Sequence, residues 1–550
     1  MSTGDVKKSS RSPIFSLRYL FFVVIGVAVC ALVYFTKSEP AVKPYPLNQI
    51  EHDCIRGTFA ALTMVGLFVV LIVRSLESSE LKHRLQLVLK AGAVILVVLA
   101  SVMYFYSARG LTRRHYLNFH DLYHYFLGCK YYHEVEYNNF YACHLQADRE
   151  KSKPRFRERD KVRDLNTYKK SRVKNIRESA DCSSFSEERW DEFKRDTDVF
   201  GKHSSRRIIL DHGYNGTPFS AFIAGGVAQL PEVNYQNLIF VTFIDILGLC
   251  ILFAVVQWGF GWRIAFLFAL FLMVNFADFY FHVSFFRYLW MVTLGIGLAC
   301  LNKEKYGLSA VFLTASAMLN VFPLLFFAGI GLKLVYSLIK ERTLKPRYRT
   351  FVVWAVIATI FFGGLSLMHE RPIDRYKTFF SNMGMHSGLL TSTRTGFRYN
   401  FMFKGELTKE HPRYSYAEKK RDFEEIQIPY NIVVGLILIL GAMLVLRLDD
   451  FRATVLAGFL LLFMLFSTVV YYYACASVLV LLWAKDINRK RGVGLIALLF
   501  GLMVVPYVLW WQTEYRMFIN NTVLTAVFTL YLLVTFCYFI KETRLFSRDA

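Results

Sequence analysis

The sequence lacks the short motifs that mark the common soluble enzymes. No P-loop, GxSxG, HExxH or dinucleotide-binding glycine pattern stands in a fitting context among the 550 residues. The nine cysteines include no CxxC pair, so we expect no zinc site, and no other metal site is predicted. Acidic residues are scarce, 42 against 65 Lys and Arg, which leaves a net charge of +23. Because no nucleic-acid-binding motif accompanies that charge, we expect no nucleic acid partner.

Apolar residues are abundant instead, at 55% of the chain, and the mean hydropathy is +0.34. A membrane span needs about 20 apolar residues, and fewer where a helix is broken or buried in protein. The sequence therefore predicts an all-α polytopic membrane protein with about 14 transmembrane helices, in contact with membrane lipids. The predicted spans are 19–35, 58–73, 87–106, 238–256, 264–275, 288–301, 308–319, 322–339, 351–367, 432–446, 455–470, 474–483, 493–511 and 523–540.

Positive charge predicts the orientation of these spans, because Lys and Arg hold short loops on the cytoplasmic side. The basic segments are the first 18 residues, 340–349, 485–491 and 541–548. We therefore expect both termini to be cytoplasmic, in a bacterial inner membrane, with segments 108–216 and 368–430 outside. Both termini can be cytoplasmic only if the chain crosses the membrane an even number of times, so segment 217–230 must not cross it. This segment is predicted to be a re-entrant or interfacial helix.

This pattern divides the chain into five regions. They are a three-span region (1–106), an outer loop with juxtamembrane helices and a charged insertion (107–237), a central transmembrane module (238–367), a second outer loop (368–430) and a C-terminal transmembrane region (431–550).

The charged insertion, 148–207, allows two interpretations. Its composition suits disorder. However, aromatic residues recur at helical spacing in FSEERWDEFKRDTDVF, which favours an amphipathic helix. Cys54, Cys129, Cys143 and Cys182 lie in segments predicted to be outside, where an oxidising compartment allows disulfides. Cys143 and Cys182 flank the first part of this charged insertion, so that pair is favoured.

One polar cluster, HDLYHYFLGCKYYHEVEYNNFYAC (120–143), directly follows the third predicted span. Asp121, His124 and Lys130 fall within about three helical turns, among tyrosines such as Tyr125. A carboxylate beside aromatic rings suits a sugar acceptor, because it takes the hydroxyl proton while the rings stack on the sugar. The alternative is an aromatic belt at the membrane interface with a solvated Asp121.

Two further clusters lie near the predicted outer ends of helices. In ILDHGYNGTP, Asp211 and His212 precede a helix start that suits an anion, although the segment would also serve as a plain cap. In NFADFYFHVSFFRY, Asp278, His282 and Arg287 stand at the rim of apolar spans, where ionisable groups are functional by default. The alternative for Arg287 is a side chain that snorkels to the interface.

A fourth cluster lies in the second outer loop, in FFSNMGMHSGLLTSTRTGFRYNFMF. It contains His386, Arg394 and Arg398 between glycines and hydroxyl groups. Arg and His side chains suit the oxygen atoms of a phosphate. The alternative is a solvated loop.

The order of these features resembles the C-type superfamily of membrane glycosyltransferases. The likeness is greatest to bacterial polyprenol-phosphate-mannose-dependent mannosyltransferases and their uncharacterised relatives. It is carried by the outer aspartate with its aromatics (HDLYHYFLGCKYY), the Thr-Pro helix start (YNGTPFSAFIAGG), the proline-broken helix (LTASAMLNVFPLLFFAG) and the Tyr-rich tip (STVVYYYACASVLVLL). The chain departs from the family at Asn320, where a lysine is common, and in its long charged insertion.

The resemblance implies that Asp121 is the general base of an inverting sugar transfer. It implies a polyprenyl-phosphate sugar as donor substrate, mannose in the closest relatives, and a glycan, lipid or protein as acceptor, with no separate cofactor. The remaining polar residues of the four clusters would bind substrate. The rival predictions are a lipid or solute transporter, and a non-catalytic subunit whose charged outer loop binds a membrane-protein partner.

Overall fold

A computed structural model of the protein describes residues 49–105, 116–203, 206–276, 284–368, 371–387, 389–391, 393–402, 416–512 and 517–546, with single positions at 27 and 31. Helices dominate these residues. In chain order the α-helices are α1 (Gln49–Arg74), α2 (Ser79–Phe105), α3 (Phe119–Asp121), α4 (Gly128–Lys130), α5 (Tyr132–Val135), α6 (Phe140–Arg149), α7 (Val173–Glu178), α8 (Glu187–His203), α9 (Pro218–Ala228), α10 (Tyr235–Phe260), α11 (Trp262–Val274), α12 (Leu289–Asn302), α13 (Tyr306–Leu319), α14 (Phe327–Lys340), α15 (Pro346–Ser366), α16 (Pro372–Ser387), α17 (Tyr399–Met402), α18 (Tyr416–Arg447), α19 (Asp450–Leu465), α20 (Val478–Leu481), α21 (Lys490–Gln512) and α22 (Met517–Glu542).

Within the described residues, one π-helix, four 3₁₀-helices and four short strands accompany the α-helices. A π-helix, Leu122–Leu127, joins α3 to α4, and the 3₁₀-helices are Arg206–Leu210, Phe322–Phe326, Val470–Ser477 and Ala484–Asp486. The strands form two antiparallel pairs, β1 (Lys161–Arg163) with β2 (Lys170–Arg172) and β3 (Arg394–Thr395) with β4 (Thr468–Val469).

Eight helices within the described ranges are long and apolar enough to cross a membrane. They are α1, α2, α10, α14 with its preceding 3₁₀ turn, α15, α18, α21 and α22. The chain is therefore an α-helical membrane protein, as its composition predicts. Five predicted spans instead fall on helices of 10–17 residues: the spans on α11, α12 and α13, the span 474–483 on the 3₁₀-helix that leads into α20, and the span 455–470 on α19. At 1.5 Å per residue these are shorter than a bilayer core of roughly 30 Å, so the count of 14 remains a prediction. The predicted span 19–35 lies outside the described residues, apart from two positions.

The charged insertion is folded. Its helix α8 buries Phe193 and Phe200 on one face, which confirms the predicted amphipathic helix. The ring of Phe193 meets the buried ring of Tyr131 at a centroid distance of 4.8 Å. Aromatic packing of this kind contributes about 1 kcal/mol beyond the burial of area, so α8 is fastened to the segment that carries Asp121.

A disulfide joins Cys143 on α6 to Cys182, with a Cα–Cα separation of 5.8 Å. This confirms the favoured pairing. Cys54 lies within α1, which begins nine residues before the predicted span, and Cys129 is buried on α4; both are free thiols. The disulfide closes a loop around the first part of the insertion, because the two cysteines are 39 residues apart.

Three of the basic segments lie close together. Arg347 pairs with Asp450 at 3.3 Å, and Lys485 pairs with the adjacent Asp449 at 3.0 Å. Arg452, on the same helix start, contacts Glu542 near the end of α22 at 3.3 Å. The loops after α14 and before α21 therefore meet the C-terminal end of α22 around the first turn of α19.

Candidate functional site

Asp121 lies at the junction between α3 and the π-helix, with 13% of its side chain exposed. Its Oδ2 atom accepts a hydrogen bond from Ser284 Oγ at 3.2 Å and lies 3.4 Å from Arg287 Nε. Its Oδ1 atom lies 3.4 Å from His120 Nδ1. The cap of α3 is Asn118, whose side-chain oxygen accepts from the backbone N–H of Asp121, and the Asp121 carboxylate caps neither helix. The carboxylate is thus positioned for interactions with other side chains.

Arg287 is the cation of this site. It is 6% exposed, and its guanidinium lies over the ring of Tyr125 at 4.0 Å and over the ring of Tyr471 at 4.8 Å. Both distances are within the range of a cation–π interaction. Two aromatic faces and one carboxylate thus fix the guanidinium, and this buried arrangement is not that of a snorkelling side chain.

Asp245, on α10, holds the backbone of Arg287 in place. Its two carboxylate oxygens accept hydrogen bonds from the backbone N–H groups of Arg287 and Tyr288, both at 3.2 Å. These groups precede the first turn of α12, where a carboxylate is favourable. Sequence reasoning missed Asp245, although a single carboxylate within a long apolar run was a signal that could have found it.

A second group of side chains surrounds Asp211. Single ligand atoms of His120, His124 and Asp211 all lie within 4.8 Å of one another. The ring of His212 lies 5.0 Å from that of His386 and 5.2 Å from that of Tyr168. Clusters from three distant parts of the chain therefore meet here. Sequence reasoning missed His120, which connects this group to Asp121.

Burial dominates the electrostatics of these histidines. Desolvation lowers the pKa of His124 to about 4 and that of His212 to about 4, from the ordinary 6.5. It lowers the pKa of His386 to about 3. Surrounding protein partly desolvates the Asp211 carboxyl, although 43% of its side chain is exposed, and this would raise its pKa. The imidazoles of His124, His120 and His212 outweigh this effect, and the pKa is lowered. At neutral pH the three rings are uncharged and the carboxyl group is ionised.

Tyr125 joins the two groups. Its hydroxyl donates to Asn215 Oδ1 at 2.5 Å, in the loop after Asp211, while its ring carries Arg287. Neither Asn215 nor Ser284 was among the predicted site residues, and an isolated small polar residue in a loop offers little signal for one.

Arg394 and Arg398 are only partly connected to this site. Arg394 is buried in the β3–β4 pair and donates to the Ser467 carbonyl at 2.5 Å. Its charge and that of Arg287 both act on Tyr471 and Tyr472, so the two guanidinium groups lie near the same pair of tyrosines. Arg398 instead lies 5.3 Å from the centre of the Phe423 ring.

Lys130, which was predicted to bind substrate, forms ion pairs with the charged insertion. It is 1% exposed, and its ammonium group pairs with Asp196 at 2.8 Å and with Glu192 at 2.7 Å, both on α8. Two carboxylates of the insertion therefore neutralise Lys130, and its predicted role in substrate binding stays a prediction. The predicted residues Asp278 and His282 lie outside the described residues.

Comparison of the chain with protein-family models, with curated proteins and with solved structures finds no match. The chemistry of the site therefore rests on its own geometry. A carboxylate held by a hydroxyl and a guanidinium, beside tyrosine rings, can accept a proton from a hydroxyl group. The guanidinium can bind a neighbouring anion.

Proposed function

We propose that the protein is a glycosyltransferase of the C-type membrane superfamily, which transfers a sugar from a polyprenyl phosphate to an acceptor hydroxyl. The single observation that carries this proposal is the ion pair of Asp121 with Arg287 between Tyr125 and Tyr471. It offers a proton acceptor, a fixed cation and aromatic faces in one place. These are the three elements that an inverting transfer to a hydroxyl group requires.

In the proposed reaction, Asp121 takes the proton of the acceptor hydroxyl as its oxygen attacks the anomeric carbon. The bond from that carbon to the phosphate oxygen breaks, and the polyprenyl phosphate leaves with the electron pair. Negative charge grows on the leaving phosphate, so a fixed guanidinium stabilises the transition state more than the ground state. Arg287 has this role in the proposal, and Arg394 supports it through the shared tyrosines.

The proposed setting is a bacterial inner membrane, with about 14 spans, both termini in the cytoplasm and the site on the opposite side. The meeting of basic segments around Asp449 and Asp450 supports this orientation. Basic loops that gather in one place favour a common cytoplasmic face. A lipid-linked donor fits a site that directly follows α2 and precedes α12.

A transporter is less well supported. Such proteins hold ionisable groups in broken helices at the centre of the membrane, where the substrate contacts them. The carboxylate of Asp245 lies within a membrane-length helix, but it accepts from two backbone N–H groups and so has a structural use.

A comparison of donors tests the proposal. The purified protein would be incubated with an acceptor and with one radiolabelled sugar presented as a polyprenyl phosphate, as a polyprenyl pyrophosphate and as a nucleotide sugar. We expect release of label from the polyprenyl monophosphate alone. Consumption of the nucleotide sugar, or of no donor over a panel of sugars by folded protein, would contradict the proposal.

A further inference from the structure

The histidine and aspartate side chains beside Asp121 have the composition of a metal site. His120 and His124 are four residues apart across the junction of α3 with the π-helix, and their ring centroids are 4.8 Å apart. Asp211 approaches them from the segment that follows the 3₁₀-helix Arg206–Leu210. We propose that His120, His124 and Asp211 bind one divalent transition-metal ion of the zinc class.

The donor atoms select this class of ion. Two imidazole nitrogens and one carboxylate oxygen suit Zn²⁺, Co²⁺ or Fe²⁺, whereas Mg²⁺ and Ca²⁺ prefer oxygen ligands alone. Two histidines with one carboxylate also leave a coordination position open, as in catalytic zinc sites. The sequence did not predict this site: His120 and His124 have the spacing of the two histidines in HExxH, but an aspartate stands where that motif has its glutamate, and the third ligand is about 90 residues away.

The tautomer of His124 suits a ligand. Its Nδ1 atom lies 2.7 Å from the carbonyl oxygen of His120, so the ring proton is on Nδ1 and the lone pair is on Nε2. Metal-binding histidines commonly donate their second nitrogen to a backbone carbonyl in this way. The Nε2 atom accepts from the Tyr141 hydroxyl at 2.6 Å, and that hydroxyl has a second acceptor in the Ile208 carbonyl at 3.4 Å. An ion can therefore displace one hydrogen bond without leaving the hydroxyl unsatisfied.

The three ligand atoms need to move only a short distance towards one another to bind a single ion. The three ligand atoms lie within 4.8 Å of one another, whereas tetrahedral ligands at bonds of 2.0–2.2 Å lie about 3.4 Å apart. His120 is 49% exposed and Asp211 is 43% exposed, so both side chains can turn towards an ion. His124 is 1% exposed, so its ring stays in place while the other two ligands move. Arg163 holds the loop of Asp211 by donating to the Leu210 carbonyl at 3.1 Å.

The site would place a cation beside Asp121, since His120 Nδ1 is 3.4 Å from Asp121 Oδ1. Its open position would take an oxygen anion such as a phosphate. Binding of the ion does not depend on the proposed sugar transfer, so the two ideas can fail separately.

Titration of the full-length protein with Co²⁺ tests the inference directly. The protein, freed of any affinity tag and stripped with a chelator, would be followed by the visible absorption of bound Co²⁺, with Zn²⁺ as competitor. We expect one equivalent of Co²⁺ that Zn²⁺ displaces. His120→Ala and Asp211→Asn should each weaken binding by at least about tenfold, because each removes a ligand.

Both variants change partly exposed side chains, so the protein should remain folded, and thermal unfolding would check this. His133→Ala, an exposed histidine on α5, is the matched control and should bind Co²⁺ as the wild type does. Absence of saturable Co²⁺ binding would overturn the inference. So would binding of unchanged affinity in both ligand variants, since the ion would then lie elsewhere.

Discussion

Replacement of Asp121 by asparagine separates a chemical role of this residue from a structural one. The amide has nearly the same size and can still accept a hydrogen bond from Ser284, which lies 3.2 Å from Oδ2. It cannot take a proton. Loss of a general base typically slows a reaction by 10²–10⁴-fold, which is roughly 3–5 kcal/mol in the barrier.

The same change has a modest expected effect on stability. It removes the charge that lies 3.4 Å from Arg287, but the rings of Tyr125 and Tyr471 still hold the guanidinium. Hydrogen bonds to charged groups contribute about 1.5–3 kcal/mol, so we expect Asp121→Asn to lose about that much stability and to remain folded. Because Asn118 caps α3, no cap is lost.

The assay would compare wild type, Asp121→Asn and Asp191→Asn for the rate of sugar release from a polyprenyl phosphate. Asp191 is a carboxylate on α8 that is 52% exposed, so its amide variant controls for the general effect of removing a charge. We expect wild-type rates in the control. Near wild-type turnover by folded Asp121→Asn would refute the assignment of Asp121 as the base, and Asp211 would be tested next.

Three other predictions concern the donor site, the disulfide and acid stability. Arg394→Ala should raise the KM for the polyprenyl-phosphate donor by about tenfold, because it removes charge near the leaving phosphate. Arg394→Lys should restore part of the affinity, and equal KM values for the wild type and Arg394→Ala would contradict this prediction. Cys143→Ser should destabilise the insertion by about 2–4 kcal/mol, seen as faster tryptic cleavage between residues 148 and 182, and unchanged cleavage would count against it. Burial lowers the pKa of His144 to about 3, so the folded state resists protonation and stability falls as pH drops below 6.5. At pH 5 the loss is roughly 2 kcal/mol, and His144→Gln should reduce the difference in thermal unfolding between pH 7 and pH 5.

Local patterns predicted the parts of the fold that depend on local sequence. The helical spacing of Phe193 and Phe200 predicted α8, and the flanking positions of Cys143 and Cys182 predicted their pairing. The lengths of the spans were less predictable. A short apolar run such as α13 is compatible with a crossing or with a helix buried in protein, and only tertiary packing separates the two.

The site was partly predictable for a related reason. Asp121 and Arg287 stand at the ends of apolar runs, where a charged group is costly unless it has a use. Lys130 occupies a similar position, but its partners Glu192 and Asp196 are about 60 residues away in sequence. His120 and Asp211 meet only because the loop after Arg206–Leu210 returns to α3. Contacts of this kind depend on chain topology, which one sequence does not specify.

The most direct test of the proposed function is the anomeric configuration of the product formed from a polyprenyl-phosphate sugar of defined configuration. Purified wild-type protein would be given a ¹³C-labelled donor and an acceptor, and the labelled product would be analysed by NMR. The arrangement of Asp121 and Arg287 predicts transfer of the label with inversion at the anomeric carbon. Transfer with retention, or no transfer by folded protein from any donor of this class, would contradict it.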